Sequence, residues 1–283
     1  MKNIKIFADS TCDLSPELIE KYNIGIIPLC IILGEESYYD GVNITPDEMY
    51  EWSNKHKTTP KTAAASFEMA LEKLKPYMDS GDDIIFFGIS SKMSTTCNII
   101  RIIGEQEKYD RLFVIDSQNL STGIGLQILK ACDMAAAGKS SEEIVSEIEN
   151  ARKRVRASFV VDNLTFLARG GRCSTITAVM ANTLRLHPLI SVVDGAMGAG
   201  KKFRGNIDSA INDYVNDMSD KLCRAEPRRV FITHSGCSEQ TISSVYKKLS
   251  DMNYFEEIIV TRAGGVISSH CGPNTLGVLF YEK

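Results

Sequence analysis

The sequence predicts an α/β fold with two domains, a parallel-sheet α/β/α domain followed by a smaller α+β domain. Two observations support this prediction. In the first half, short β-branched or aromatic runs alternate with amphipathic helical patterns, which is typical of a parallel sheet covered by helices. In the second half, strand-like runs are separated by fewer and longer helices, which favours a separate α+β unit. The predicted domains are residues 1–160 and 161–283.

The first half contains apolar runs that we interpret as strands. They are IKIFAD from Ile4, GIIPLCIIL from Gly25, DIIFFGIS from Asp83 and RLFVIDS from Arg111. The segments SPELIEKY, TPDEMYEWSNK and SFEMALEKLKPYM are predicted helices, because each has Ser or Thr near its start and an apolar face. Helices over 123–136 and 141–156 close this half, and the basic run 152–156 is interpreted as a solvated helix face.

The second half is predicted to contain strands in ASFVVDN, HPLISVVDG, RRVFITHSG, EEIIVTR and TLGVLFYEK. Its helices are predicted over 207–222 and 239–252. The segment AMGAGKKFRG carries glycines between apolar runs, so we interpret it as an exposed hairpin or loop.

Composition excludes several classes of protein. The 283 residues carry a net charge of −4, and Lys and Arg alternate with Asp and Glu, so no basic stripe for nucleic acid is present. Eight cysteines occur without a CxxC pair or a zinc-type Cys/His cluster, so neither a disulfide framework nor a metal site is predicted. The first apolar run is interrupted by Asp9 and Asp13, which argues against a signal peptide or membrane span. We expect a cytoplasmic protein.

Hydroxyl-rich loops follow three predicted strands of the first half. They are Asp9-Ser10-Thr11, the segment 90–96, and Asp116-Ser117 leading to Ser121. In an open parallel sheet such loops share one edge, where ligands bind and helix N-termini offer N–H groups to an anion. The edge therefore suits an oxygen-rich anionic head group. The simpler interpretation is that these side chains cap the helices that follow.

The missing motifs narrow the kind of anion. The sequence has neither a GxxxxGK[ST] loop nor a GxGxxG turn, and only Lys92 brings a positive charge into these loops. A nucleoside triphosphate is therefore disfavoured. Hydroxyl and backbone donors suit a single carboxylate, because each charge-assisted bond contributes about 1.5–3 kcal/mol when shielded from water.

Thr62, Ser94 and His270 are the candidate head-group residues. Thr62 precedes a predicted helix, and His270 lies just before a Gly-Pro turn. Ordinary helix capping by Thr62 and stabilisation of its own turn by His270 are the alternatives. The three residues would also fit a serine acyl hydrolase or transferase with Ser94 as nucleophile and His270 as base. No GxSxG motif surrounds Ser94, however, and no carboxylate is assigned to orient His270.

Glycine-flanked basic segments form a second candidate surface. LARGGRCS contains Arg169 and Arg172, and KKFRG contains Arg204. Glycine allows close approach of a partner, which makes these arginines candidates for a partner-facing surface. A solvated loop is the alternative. His234, after a buried-looking strand, is interpreted as a cap.

The segments together, in their order, resemble the DegV family of bacterial fatty-acid-binding proteins. The similarity spans essentially the whole chain. The matching segments are IFADSTCDL, PKTAAAS, SSKMSTT, DSQNLSTGIG, LARGGRCS, HPLISVVDG with KKFRG, FITHSG and HCGPNTLGVLFY.

The resemblance implies a lipid-binding carrier without catalysis of its own and without a cofactor other than the bound long-chain fatty acid. The first domain would hold the acyl chain in an apolar tunnel, and the second would close over the carboxylate. Thr62 and Ser94 would bind the carboxylate, with His270 in the same network, and Arg169, Arg172 and Arg204 would face the partner. That partner would be an ATP-binding fatty acid kinase subunit that forms an acyl phosphate for phospholipid synthesis. Transient membrane contact is compatible with this role.

The sequence also departs from the family's usual pattern. Ala63–Ala65 replace a Ser-Gln-Pro run, so fewer hydrogen bonds are expected from that segment, and Thr95, Cys97 and Asn274 are further departures. Two other functions remain as alternatives from different classes. One is the serine acyl hydrolase described above. The other is a metabolite sensor or kinase-like subunit that binds phosphate through the hydroxyl loops, which the missing phosphate-binding loop disfavours.

Overall fold

The computed structural model describes residues 3–173 and 186–283. Four strands form a parallel sheet in the order β2-β1-β6-β7. They are β1 (Ile4–Asp9), β2 (Gly25–Ile27), β6 (Asp83–Gly88) and β7 (Leu112–Asp116). The two central strands, β1 and β6, are buried almost throughout, because helices cover both faces of the sheet. The predicted parallel sheet is confirmed.

Side chains of the central strands alternate between two hydrophobic cores. Phe7 and Phe86 pack on one face with α2 (Pro46–His56), α3 (Phe67–Asp79) and α4 (Thr96–Gln106). Ile6 and Phe87 pack on the other face with α5 (Thr122–Ala136) and α6 (Ser141–Ala151). This alternation follows from the two-residue period of a strand. A short helix, α1 (Pro16–Lys21), joins β1 to β2.

Hydroxyl side chains begin these helices, as the sequence predicts. The Ser15 side chain accepts a hydrogen bond from a backbone N–H in the first turn of α1, and the Ser66 side chain does the same in α3. Thr45 and Ser140 form capping boxes with the glutamates three positions later, at α2 and α6.

The second half forms a six-stranded sheet in the order β10-β9-β8-β13-β11-β12. Its strands are β8 (Val155–Val160), β9 (Leu186–Val193), β10 (Ala196–Arg204), β11 (Ala225–His234), β12 (Glu257–Arg262) and β13 (Leu276–Glu282). Only the β11–β12 pair is parallel. One face is covered by α8 (Ile207–Asp217), α9 (Ser219–Leu222) and α10 (Glu239–Asp251). The other face shares a hydrophobic core with α5.

A small antiparallel sheet brings the two halves together at one end. It consists of β3 (Cys30–Leu33), β4 (Glu36–Tyr39) and β5 (Lys61–Ala63), in the order β4-β3-β5. Against it lies α11 (Gly265–Cys271) of the second half, which also contacts α7 (Thr165–Gly170). This arrangement places α11 of the second half beside β3 and β5 of the first half.

The run GIIPLCIIL does not form the single strand predicted from its composition. It divides into β2 and β3, which belong to different sheets, and Pro28 lies between them. Proline has no N–H to donate to a sheet, so the ladder ends there.

The predicted helix over 141–156 is too long. A 3-10 helix covers Arg152–Arg154, and the chain then enters β8 at Val155. Buried Val155 and Ala157 flank exposed Arg156, so the burial pattern has the two-residue period of a strand. The basic run is therefore not a helix face. Because β8 pairs with β9 and β13, residues 155–160 belong to the second sheet, although the sequence assigned them to the first domain.

The segment AMGAGKKFRG, interpreted from sequence as an exposed hairpin or loop, contributes strand β10, which forms an antiparallel hairpin with β9. The pairing shifts register between Ala199 and Lys202, next to Gly200.

Within the described ranges, no helix combines the length and apolar character required to cross a lipid bilayer.

Candidate functional site

A partly open cavity lies between the two halves, with about 840 Å³ of space that includes open solvent at its entrance. Most of the wall is apolar, and it comes from both halves of the chain. Its larger apolar side chains include Leu29, Ile89, Leu120, Phe159, Met197 and Leu279.

Helix α11 forms one wall, through Val266, Ile267, His270 and Cys271. Its N-terminal end is held by two buried carboxyl groups of the first half. Asp13 accepts from the Gly264 N–H at 2.9 Å, and Asp40 accepts from the Gly265 N–H at 2.7 Å. These N–H groups have no acceptor within the helix, and the carboxyl oxygens satisfy them. These contacts fix the position of α11 relative to the first half.

Thr62 and His270 meet in this cavity. Thr62 Oγ1 on β5 lies 2.8 Å from His270 Nε2 in the last turn of α11. Ser94 lines the same cavity, and its hydroxyl lies 2.9 Å from Thr96 Oγ1 and accepts from the Thr96 N–H at 3.3 Å. The three residues predicted from sequence are therefore in one cavity, and His270 lies in the last turn of a helix.

Arg172 also reaches the cavity. Its guanidinium donates to the Gly170 carbonyl at 2.8 Å and to the Met93 carbonyl at 3.4 Å. The acceptor of the second bond, Met93, directly precedes Ser94 in the chain. Sequence reasoning placed Arg172 on a partner-facing surface and missed this position, although its glycine neighbours indicated a close approach of the backbone. Arg169 and Arg204 are exposed and are not part of the cavity wall.

The His270 ring is neutral at physiological pH. Burial lowers its pKa to about 4, and the positive charge of Arg172 adds to the effect. Nδ1 is buried and has no hydrogen-bond partner in the described part of the chain. It packs against Gly170, where an added Cβ would lie 2.2 Å from Nδ1. Glycine at position 170 thus provides the space for the ring.

Other hydroxyl groups of the wall donate their protons within the protein. Ser121 donates to Asp13 at 2.6 Å, Ser235 to the Gly272 carbonyl at 2.5 Å, and Thr275 to the Cys271 carbonyl at 3.0 Å. A ligand therefore meets few free donors along this wall. The polar groups of Thr62, Ser94, His270 and Arg172 form the head-group cluster, and we use this name below.

The loop Asp9-Ser10-Thr11 does not face the cavity, so the prediction of a ligand-binding role for it is wrong. Asp9 accepts from the N–H groups of Thr11, at 3.1 Å, and Ile89, at 2.8 Å, and Ser10 donates to Asp40 at 2.9 Å. Burial raises the pKa of Asp9 to about 6, and its hydrogen bonds oppose that shift. The simpler capping interpretation is confirmed for this loop.

The arrangement does not resemble that of a serine hydrolase. Ser94 is hydrogen-bonded to Thr96, and His270 is hydrogen-bonded to Thr62. No described carboxylate accepts a hydrogen bond from His270 Nδ1. A nucleophile needs a base within hydrogen-bond reach, and the base needs an orienting group. The geometry provides no support for the hydrolase alternative.

Comparison with known proteins assigns the family. Residues 3–283 match the family model described as "Uncharacterised protein, DegV family". The chain belongs to the DegV family. DegV domain-containing proteins of Clostridium perfringens and Caldanaerobacter subterraneus are each 32% identical to it over 283 residues, covering 100% of both chains.

Solved DegV structures share the fold. A DegV family protein from Thermus thermophilus, described for its fatty acid binding, gives a TM-score of 0.91 at 28% identity and 100% coverage of both chains. DegV of Bacillus subtilis, a fatty acid binding protein, gives 0.87 at 26% identity with the same coverage. A stearic acid-binding protein from Eubacterium ventriosum gives 0.84 at 26% identity, covering 99% of this chain and 98% of that one. The predicted DegV family and α/β fold are confirmed.

Proposed function

We propose that this DegV protein binds a long-chain fatty acid and presents its carboxyl group to an ATP-binding fatty acid kinase subunit in the cytoplasm. The observation that carries the proposal is the head-group cluster in a mostly apolar cavity, where Ser121, Ser235 and Thr275 donate their protons within the protein. An amphiphile with a single polar end matches this distribution. The fatty acids bound by related DegV proteins support the same ligand class.

Burial of the acyl chain would supply most of the affinity. About 14 buried methylenes at ~0.8 kcal/mol each correspond to an upper bound of roughly 11 kcal/mol. One or two hydrogen bonds to the head group contribute a smaller share, about 1.5–3 kcal/mol each when charged. In this proposal the tail sets affinity, and the head-group cluster sets the register of the chain.

Thr62 is the direct donor to the carboxyl in this proposal. His270 Nδ1 lies against Gly170 without a partner in the described ranges, and a buried N–H without an acceptor is rare in native proteins. We therefore assign the ring proton to Nε2, which donates to Thr62 Oγ1. The Thr62 hydroxyl proton is then available to the ligand. His270 acts as a positioning residue in this arrangement.

The accessible end of the cavity suits transfer to a partner. Ala63 and Arg172 line the cavity and are exposed, so the carboxyl would lie near the surface while the tail is buried. Arg172 would attract the carboxylate and the phosphate donor alike. Arg169 and Arg204 are exposed cations that we assign to the contact with the kinase subunit.

Two experiments test the proposal. The protein is purified without added lipid and denatured, and the released molecules are identified by mass spectrometry; about one fatty acid per chain is expected. The loaded protein is then incubated with a purified fatty acid kinase subunit and ATP, and acyl phosphate is trapped with hydroxylamine. An empty protein that also fails to bind added fatty acid would disprove the carrier function, and a loaded protein that yields no hydroxamate would disprove the presentation step alone.

Arg169 and Arg204 allow the carrier and presentation steps to be separated. Arg169→Glu and Arg204→Glu are expected to lower the rate of hydroxamate formation and leave the fatty acid content unchanged. Lys247→Glu, an exposed charge reversal on α10, is the matched control. Loss of bound fatty acid in the Arg204→Glu protein would place this residue in ligand binding instead.

A further inference from the structure

The six-stranded sheet is forked at one end. β8 and β9 pair at Ser158 with Ser191, Phe159 with Ile190 and Val160 with Leu189, and the register between them ends there. The two strands nevertheless continue beyond this point. Beyond it, the facing edges of β8 and β9 have no partner among the described strands. These edges belong to residues 155–157 of β8 and residues 192–193 of β9.

Each arm of the fork, residues 155–157 or residues 192–193, pairs with a neighbouring strand on the side away from the fork. Val155 pairs with Tyr281 of β13, and Val193 pairs with Ala196 of β10. The arms therefore keep their strand conformation although their inner edges are open. Open edges of this kind are templates for pairing with another segment of chain.

A cleft of about 1040 Å³, open to solvent, lies along the fork. Its floor includes Val155, Ala157, Val192 and Phe280, whose side chains are buried in the hydrophobic cores of the protein. Val193, at the tip of one arm, is 67% exposed. None of the residues that line this cleft lines the fatty acid cavity, so the two sites are separate.

The rim of the cleft is basic, although the whole chain has a net charge of −4. It carries Arg152, Lys153, Arg156 and Lys221, against the single described acid Asp194. Arg156 is paired with Glu282, and Arg152 lies 3.9 Å from Glu149. Lys153 and Lys221 make no ion pair within residues 3–173 and 186–283. The rim therefore retains positive charge that the protein itself does not neutralise.

We infer that the fork is a docking site for an extended acidic segment of a partner protein. The backbone of that segment pairs with the open edges of β8 and β9, an apolar side chain of it packs on exposed Val193, and its Asp or Glu side chains meet Lys153 and Lys221. Strand addition supplies main-chain hydrogen bonds, and the rim charges select an acidic sequence.

The probe is a fluorescein-labelled heptapeptide, EVEVEVE, and binding is followed by fluorescence anisotropy. Two matched peptides separate charge from strand pairing: KVKVKVK reverses the charge, and EVEVEVE N-methylated at alternate residues lacks the donors of one edge. We expect at least tenfold weaker binding of both. Lys153→Glu combined with Lys221→Glu is expected to weaken EVEVEVE binding at least tenfold and to leave the bound fatty acid unchanged.

Lys75→Glu combined with Lys247→Glu changes the charge equally on helices away from the fork and is expected to bind the probe normally. Equal affinity for the N-methylated peptide would reduce the site to charge attraction and overturn strand pairing. Undiminished binding to the Lys153→Glu, Lys221→Glu protein, or no binding to the unmodified one, would also overturn the inference. Hydrogen exchange with bound probe should protect residues 155–157 and 192–193, and protection elsewhere would contradict it.

Discussion

Thr62 Oγ1 and His270 Nε2 lie 2.8 Å apart although 208 positions separate the two residues in the chain. Thr62 belongs to the small sheet of the first half, and His270 lies in the last turn of α11 of the second half. The hydrogen bond therefore depends on the docking of α11, which Asp13 and Asp40 hold at its other end. The head-group cluster is complete only when the two halves are packed together.

Replacing Ser94 by alanine should weaken fatty acid binding moderately. The variant loses one hydroxyl and keeps the apolar wall, so we expect a roughly 2- to 10-fold increase in Kd, equivalent to about 0.5–1.5 kcal/mol. Titration of lipid-stripped protein with a long-chain fatty acid by calorimetry measures this. Ser91→Ala, an exposed position in the same loop, is the control and should bind as the unmodified protein does. Complete loss of binding in Ser94→Ala would show that the head group, and not the tail, dominates affinity.

Gly170→Ala should damage the site without removing any hydrogen-bonding side chain. The new Cβ would lie 2.2 Å from His270 Nδ1, so the ring must shift and its bond to Thr62 must lengthen or break. We expect at least a tenfold loss of fatty acid affinity in the same titration. Gly198→Ala, where an added Cβ meets no atom within 4 Å, is the matched control. Unaltered binding by Gly170→Ala would mean that the position of His270 is unimportant for the ligand.

His270 should make the protein less stable as the pH falls from about 6.5 to 4. Its pKa is about 4 in the folded protein and 6.5 ordinarily, so the unfolded chain binds more protons in this window. Stability from this group is present above pH 6.5 and is lost as pH falls. Asp9 acts in the opposite direction, because its pKa is raised from 3.8 to about 6 and folding then favours its protonated form.

Comparison with His270→Gln isolates this effect from that of Asp9. The urea midpoint is measured at pH 6.5 and 4.5 for both proteins, and the unmodified protein should lose more stability than the variant. Titration of the ring by NMR should give a pKa near 4 for His270. Equal losses in both proteins, or an ordinary ring pKa, would contradict the burial argument.

The tail region should set the preferred acyl length. Ala263 is a small, buried residue of the cavity wall beside α11, and Ala263→Leu adds three carbons to that wall. We expect the fatty acids recovered from this variant to be shorter on average. Ile267→Ala enlarges the same region and should shift the recovered chains to greater length. Mass spectrometry of extracted lipid tests both, and an unchanged length distribution in the two variants would mean that the chain terminus lies elsewhere.

Local sequence patterns determined much of the fold of this protein. The apolar runs of β1 and β6, the hydroxyl caps of α2 and α6 and the two-residue alternation of the later strands all act within a few residues. They are readable without a structure, because burial periodicity and capping are local effects. The family-like segments likewise identified Thr62, Ser94 and His270 as candidates.

Tertiary structure alone decided which edges and side chains meet. Pro28 divides an apolar run between two sheets, and Val155 enters the second sheet from a basic segment that resembled a helix. Serine hydroxyls that looked equivalent in sequence also have different surroundings. Ser10 donates to Asp40, whereas Ser94 lines the cavity. Strand partners and proton acceptors are set by contacts between residues far apart in the chain. A local pattern records that a residue is buried or polar, but not the group against which it packs.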